Sequence, residues 1–320
     1  MLTRFKICIV TPAPPGSLHG NRFTALRWAN FLNKLGHQIT IQENWHHQAC
    51  DVLIALHALR SHHAIQAFKT AFPNKPVILI LTGTDLYRDL ESHPEVLLSM
   101  AMADQIVTLQ AQALELIPLK YRSKASVIYQ SMPALKRQCP PKNSFLVSII
   151  GHLRPEKDPF CIVRALPSIP TQSRLRVVHI GQAMDQDMAI QAQDAVSSEK
   201  RYQWLGKLTH AQTMRWLTRS HLMLISSLME GGAHVVSEAA SIGIPIIASK
   251  IAGNIGLLGS DYDGYFPVQD HQQLAKLILR AESDQPFYQQ LTQQVQNRQN
   301  LFKPDVENLA IAALIAKLSI

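Results

Sequence analysis

Apolar residues come along this chain in short runs, separated by stretches with helical spacing. "FKICIVT" at 5–11 reads as a buried strand, and "PAPPGSLHG" after it as a loop. In "NRFTALRWANFLNKLG" the residues Phe23, Leu26, Ala29 and Leu32 recur with helical period, and Gly36 stops the helix. "HQITIQ", "CDVLIALHA", "KPVILILT", "ADQIVTLQ" and "ASVIYQ" read as five further strands, with helical segments between most of them. Strands that are apolar almost throughout and alternate with helices predict a parallel sheet covered on both faces. The rhythm breaks at "SMPALKRQCPPKN", which carries three prolines, and then restarts. "SFLVSIIG", "LRVVHIG", "YQWLG", "HLMLISS" and "GIPIIAS" are its next strands.

The expected organisation is two doubly wound α/β domains in tandem. A first domain covers 1–135, a linker 136–145 and a second domain 146–303. A terminal helix, 304–320, packs back on the first domain. Ligands of such sheets bind outside the carboxyl ends of the strands, so the expected site is a cleft between two facing domains.

A length of 320 residues suits two domains, and 47% hydrophobic residues fill two cores. The net charge of +8 is uneven: residues 1–145 hold 15 Lys/Arg against 8 Asp/Glu, and the remainder 16 against 15. Solubility and an anionic ligand or acidic surface account for that excess equally well. No dense Lys/Arg stripe with interleaved aromatics is present, so nucleic acid is not an expected partner. Cys8, Cys50, Cys139 and Cys161 are far apart and form no C-x-x-C pair. They read as reduced thiols of a cytoplasmic protein. The apolar run at the start is too short for a signal peptide or a membrane helix.

Candidate chemistry concentrates in the loop "GHLRPEKDPF", 151–160, after the first strand of the second domain. Arg154 offers a fork to phosphate oxygens and Lys157 a point charge. A solvated basic loop is the commoner fate of such residues, and a second motif decides the matter. "MEGGAHVVSEAA", 229–240, places Gly231-Gly232 where backbone N–H groups approach a ligand closely, ahead of a helix start that suits an anion. Glu230 precedes the glycines, where a carboxylate can take sugar hydroxyls; Glu238 lies a turn into the helix, where it can take a ribose diol. "MDQDM" looks like a metal-binding D-x-D, but Asp185 and Asp187 read better as carboxylates at a helix N-terminus. The pairs His46-His47 and His62-His63 point to different faces and read as packed or solvated.

These motifs resemble the GT-B fold, family 4, retaining class of glycosyltransferases, and the resemblance covers essentially the whole chain. Its E-x7-E motif is present as Glu230 and Glu238, and its G-R/H-L-x-x-x-K-D loop as Gly151 to Asp158. "YQWLGKL" resembles the segment whose backbone reads the nucleotide base, and "SIGIPIIAS" a strand of the family. The resemblance implies a nucleotide-diphosphate sugar as co-substrate and no metal. It implies Arg154 and Lys157 on the diphosphate, Glu238 on the ribose, and Glu230 with the backbone of Gly231 to Ala233 on the sugar. Val235, Leu205, Gly206 and Gly16 complete the implied donor site.

The first domain departs from the family. Many relatives carry H-G-T-D after the fourth strand; here "LTGTDLYRD" puts Thr82 where that His would stand. His57 and Arg60 are the alternatives, although a lone His in an apolar strand is more often a satisfied core residue. The strings "HGNRFTALRWANFLNKLGH", "LTGTDLYRD", "GHLRPEKDPF" and "EGGAHVVSEA" together resemble the selenosugar-forming subfamily. That likeness implies UDP-N-acetylglucosamine and selenophosphate as substrates and a carbon–selenium bond as product. A small anionic acceptor suits the basic first domain. The Gly16–Gly20 loop leads into Asn21-Arg22 at a helix start, an anion cradle for that acceptor, and the Thr82-Gly83-Thr84 turn with Asp85 adds hydroxyl and backbone donors to the expected acceptor site. A family-4 hexosyltransferase acting on a lipid or polysaccharide would share this donor site, so membrane contact is a secondary expectation. A sugar-nucleotide epimerase and a non-catalytic sugar-nucleotide sensor are further readings.

Overall fold

The computed structural model describes residues 4–17, 20–133 and 135–318. The chain divides into two units, one of residues 4–131 with 304–318 and the other of 132–303.

The first unit is built on six strands: β1 (Lys6–Val10), β2 (Gln38–Gln42), β3 (Val52–Leu56), β4 (Val77–Leu81), β5 (Gln105–Thr108) and β6 (Ala125–Val127). They are all parallel, in the order β2-β1-β3-β4-β5-β6. β3 and β4, "VLIAL" and "VILIL", are buried at every position because helices cover both faces. The two-residue period sorts their side chains. Cys8, Val10, Leu53 and Ala55 enter one core with Phe68 and Met100. Ile7, Ile9, Val52 and Ile54 enter the opposite core with Trp28 and Leu32. The helix Gly20–Lys34 supplies the second face, and Gly36 follows it at φ +95°.

The terminal helix Pro304–Ala316 buries Ile311, Leu314 and Ile315 in that same second core. Its buried Glu307 accepts from Arg27 Nε at 2.8 Å, Trp28 Nε1 at 3.2 Å and the Ser131 N–H at 2.8 Å. Both charges of the pair are thus sheltered and hydrogen-bonded, the condition for burying them.

The second unit holds β7 (Phe145–Ile150), β8 (Leu175–Ile180), β9 (Tyr202–Trp204), β10 (Leu222–Ile225), β11 (Ile246–Ser249) and β12 (Tyr265–Phe266). These are again all parallel, in the order β12-β11-β10-β7-β8-β9. The hydrophobic pattern misses β12: two residues between Gly264 and Pro267 leave no period to read. Residues 136–145, expected as the interdomain linker, are hydrogen-bonded to this unit. Arg137 donates to the Gly243 carbonyl at 3.0 Å and to Tyr288 Oη at 2.6 Å, Gln138 N–H donates to Thr218 O, and Phe145 already belongs to β7. Ala134, just before this segment, lies outside the described residues.

Each sheet has one place where the strand order reverses: β1/β3 in the first unit and β7/β10 in the second. In sheets of this kind ligands bind outside the carboxyl ends of the strands at such a switch point. Among the described residues no helix is long and apolar enough to cross a membrane.

Candidate functional site

At the second unit's switch point the loop after β7 meets the loop after β10, and these are the two segments singled out in the sequence. Pro155–Lys157 forms a single 3₁₀ turn ended by Asp158 in a left-handed conformation, φ +41°. Asp158 is held there because both its oxygens accept from Arg164 at 2.7 Å. Ser226 Oγ lies within hydrogen-bond reach of the carbonyls of Lys157 (3.1 Å) and Asp158 (2.9 Å), and the Leu228 N–H donates to Glu156 O at 2.8 Å. The Ser226 hydroxyl and one backbone hydrogen bond therefore hold the two loops edge to edge.

The result is a direct ion pair between Lys157 Nζ and Glu230 Oε1, with Ser227 Oγ donating to the same oxygen at 2.6 Å. The two side chains are 20% and 10% exposed, a degree of shelter that strengthens their attraction over that of a surface pair. Lys157 also lines a small pocket with Gly151, His179, Ser226 and Ser227. Arg154 stands exposed at the start of the same turn. The sequence assigned Lys157 and Glu230 to different parts of a ligand; the structure joins them to each other.

Gly253 fixes the depth at which Glu230 sits. A Cβ on it would collide with the Glu230 carbonyl, so only glycine lets the helix Ala252–Leu258 come this close. Beyond Glu230, Gly231 and Gly232 are half-buried and lead through Ala233 into the helix His234–Ile242. No side chain caps that helix, so its first N–H groups face the loop. Val235 is half-buried in its first turn. Glu238 is 9% exposed and accepts from His210 Nε2 at 2.8 Å. That hydrogen bond to the carboxylate raises the pKa of His210 above the ordinary imidazole value, against the opposing effect of burial.

The strand-end loops of β8 and β9 are stitched on beside this. Gly181 N–H donates to Gly206 O at 2.9 Å, and Trp204 Nε1 to Gly181 O at 2.8 Å. Leu205 N–H donates to His179 O, and Gly206 takes φ +65°. A Cβ at Gly181 would strike the Gly151 carbonyl, which shows how near the β7 and β8 loops approach. His179 lies fully inside, between Tyr202 Oη (2.8 Å) and Gly151 O (3.3 Å), and burial pushes its pKa down to about 4. Sequence reasoning missed Ser227, Gly253, His179 and His210. Of these only His210 lay next to a readable signal, the capping box of Thr209 and Gln212 that starts its helix. Nothing in the sequence joins position 210 to 238.

The first unit presents its own switch point. Gly16 turns the loop after β1 at φ +78°, and Gly20, Asn21 and Arg22 open the helix Gly20–Lys34 at exposed or half-buried positions. Leu18 and His19, within the expected Gly16–Gly20 loop, lie outside the described residues. His57 ends β3 in a left-handed conformation, φ +74°, and is 3% exposed. Its Nδ1 accepts from the Arg60 N–H at 3.3 Å, which assigns its proton to Nε2, 2.8 Å from Thr84 Oγ1. Burial lowers its pKa, with Asp85 opposing, so the ring is neutral.

Asp85 was expected among acceptor-binding residues, but its carboxylate is turned inward and fully buried. It accepts from the N–H groups of Ala58 (3.0 Å), Thr82 (3.0 Å) and Gly83 (2.7 Å). It anchors the Thr82-Gly83-Thr84 turn rather than facing a ligand. His57 is likewise a satisfied interior residue. Thr82, Thr84 and Arg60 remain partly or fully accessible.

Of the tempting metal signals, Asp185 accepts from the Met188 N–H at 2.8 Å and is a helix cap, and His62 is buried against Ser99 Oγ at 2.9 Å. Among the described residues no cluster of three or more His, Cys, Asp or Glu is placed to hold a metal ion.

The family model "glycosyl transferases group 1" matches residues 134–298, which contain this site. An Escherichia coli protein, UDP-Gal:alpha-D-GlcNAc-diphosphoundecaprenol alpha-1,3-galactosyltransferase, is 28% identical over 149 residues. That match covers 45% of this chain and 38% of the E. coli protein. Anabaena Alr3699/HepE, solved in complex with UDP and glucose, superposes with a TM-score of 0.77 at 17% identity, covering 98% of this chain and 100% of that one. Sucrose-phosphate synthase from Thermosynechococcus elongatus superposes with a TM-score of 0.81 at 14% identity, covering 98% and 99%. These two likenesses establish the fold: two parallel-sheet α/β units of the GT-B kind.

Proposed function

Because this chain belongs to the group 1 glycosyl transferases, we propose that it transfers a hexosamine from a UDP-sugar to selenophosphate, forming a carbon–selenium bond. The observation that carries the donor half is the convergence of Lys157, Glu230, Ser227 and the uncapped helix at one switch point. Lys157 and Arg154 meet the diphosphate as charge builds on it, aided by the N–H groups at the start of the His234–Ile242 helix. Glu230, released from Lys157 by the incoming diphosphate, takes sugar hydroxyls together with the backbone of Gly231 to Ala233. Glu238 accepts the ribose diol. Leu205 and Gly206, at the end of β9, are where the base is read. Solved relatives of this fold hold UDP or UDP-glucose, which supports a uridine donor.

The bond from the anomeric carbon to the diphosphate oxygen breaks with its electron pair leaving on UDP. A selenium lone pair of the acceptor forms the new bond. Selenium in selenophosphate is already anionic and nucleophilic, so no general base is required of the chain. That suits the observed Thr82 in place of a histidine and the neutral, enclosed His57. The basic excess of residues 1–145 suits a small anionic acceptor.

A second reading is favoured by the E. coli relative, whose name gives it a lipid diphosphate as acceptor. The experiment offers UDP-N-acetylglucosamine with selenophosphate, with inorganic phosphate, or with a polyprenyl-diphosphate sugar in detergent, under anaerobic conditions, and follows UDP release. Release with selenophosphate alone supports the selenium acceptor. Release with the lipid alone replaces it with the second reading. Release with none overturns both.

A further inference from the structure

We propose that His210 is a positioning residue for the nucleotide site: it holds the Glu238 carboxylate in the rotamer that receives the ribose, and it does so most strongly when the imidazole is charged. The inference rests on the reading of Glu238 as the ribose acceptor.

The geometry is specific. His210 Nε2 lies 2.8 Å from Glu238 Oε1, leaving Oε2 and the second lone pair of Oε1 for two ribose hydroxyls. Glu238 is 9% exposed on a helix that packs on the His210 helix, so its carboxylate has little room, whereas the His210 side chain is 60% exposed. The capping box of Thr209 and Gln212 fixes the backbone from which His210 extends. The imidazole, set on a capped helix start, reaches the carboxylate from the solvent side, as a residue that orients Glu238 would.

A helix N-terminus disfavours an imidazolium, yet the net effect at His210 is a raised pKa because the Glu238 hydrogen bond prevails. The neighbouring groups do not supply that effect. Lys207, three residues earlier, and His234, one turn before Glu238 on the same helix, are cationic or neutral. β7, which packs closely on the His210 helix, carries no titratable residue. With the pKa raised, the charged form's contribution is complete below the ordinary imidazole value and is lost as pH rises through the raised one. Above it the neutral ring still donates from Nε2, so the effect weakens without vanishing.

The test is calorimetric titration of the full chain with UDP and with 2′,3′-dideoxy-UDP, from about pH 6 to about pH 9. Wild type is set against His210→Ala, His210→Gln and Glu238→Ala. The readout is the variant-to-wild-type ratio of Kd, which cancels the titration of UDP itself. For UDP the His210→Ala ratio should be about three- to tenfold at the acid end and fall towards one with rising pH. His210→Gln, a neutral donor of similar reach, should recover part of the affinity. Dideoxy-UDP should discriminate none of the proteins. If Glu238→Ala weakens UDP but His210→Ala matches wild type at every pH, the positioning role is wrong and the ribose reading survives. If Glu238→Ala binds UDP like wild type, the ribose reading fails and this inference with it.

Discussion

Lys157 and Glu230 are 73 residues apart in sequence and in direct contact in the fold. Each was visible in the sequence by type and by motif, but their pairing was not, because it depends on Ser226 tying one loop to the backbone of the other. The same limit hid His210 and gave Asp85 a role in the wrong direction. An acidic residue in a Gly-Thr turn reads as a ligand contact until its oxygens are seen to be taken by three backbone N–H groups. The pairing yields a residue-level prediction. If Lys157 meets the leaving diphosphate as proposed, Lys157→Ala removes that cation and frees Glu230 to repel it, so kcat/KM for the donor should fall by roughly 10²–10³. Steady-state kinetics of UDP release measure this, and a fall of less than about threefold would place the diphosphate elsewhere.

At the level of elements, strand and helix order was legible almost throughout, since β3, β4 and β7 are apolar runs of five or six residues bounded by turn signals. β12 was not, being two residues long, and no periodicity marks how near the β7, β8 and β9 loops run to one another. The collision that a Cβ at Gly181 would cause reveals it for the β7 and β8 loops, the hydrogen bonds of Gly181 with Gly206 and Trp204 reveal it for the β8 and β9 loops, and the collision at Gly253 shows how near the Ala252–Leu258 helix runs to Glu230. Gly253→Ala should therefore push the Ala252–Leu258 helix away from Glu230. The expected cost is about 1–3 kcal/mol of stability, with a loss of turnover larger than that destabilisation explains. Chemical denaturation and kinetics on the same preparation separate the two, and unchanged turnover would show that the position of Glu230 is not set from this helix.

For the whole molecule, histidines kept neutral by burial weaken the fold in acid; burial lowers the pKa of His37, His57 and His62, and most of all of His179 and His221. His179 and His221 have their pKa values pushed down to about 4, in both cases chiefly by burial, against about 6.5 when unfolded. The unfolded chain then binds more protons between those values, so stability is complete above about pH 6.5 and falls as pH drops towards about 4. The thermal midpoint should follow that slope, and His179→Gln should make it shallower. A midpoint independent of pH across the window would contradict the burial of these rings. The charge imbalance belongs to this scale too: 15 Lys/Arg against 8 Asp/Glu in residues 1–145 is legible from composition, but the acceptor is not.

That last question decides the account, and product identity answers it most directly. Carbon-13-labelled UDP-N-acetylglucosamine and selenophosphate would be incubated with the wild-type chain and with Lys157→Ala, and the products read by mass spectrometry and by carbon–selenium coupling in the NMR spectrum. A selenium-bonded hexosamine should form in step with UDP in the wild type and be lost in the variant. UDP released with the sugar found on oxygen, or on a lipid, would contradict it.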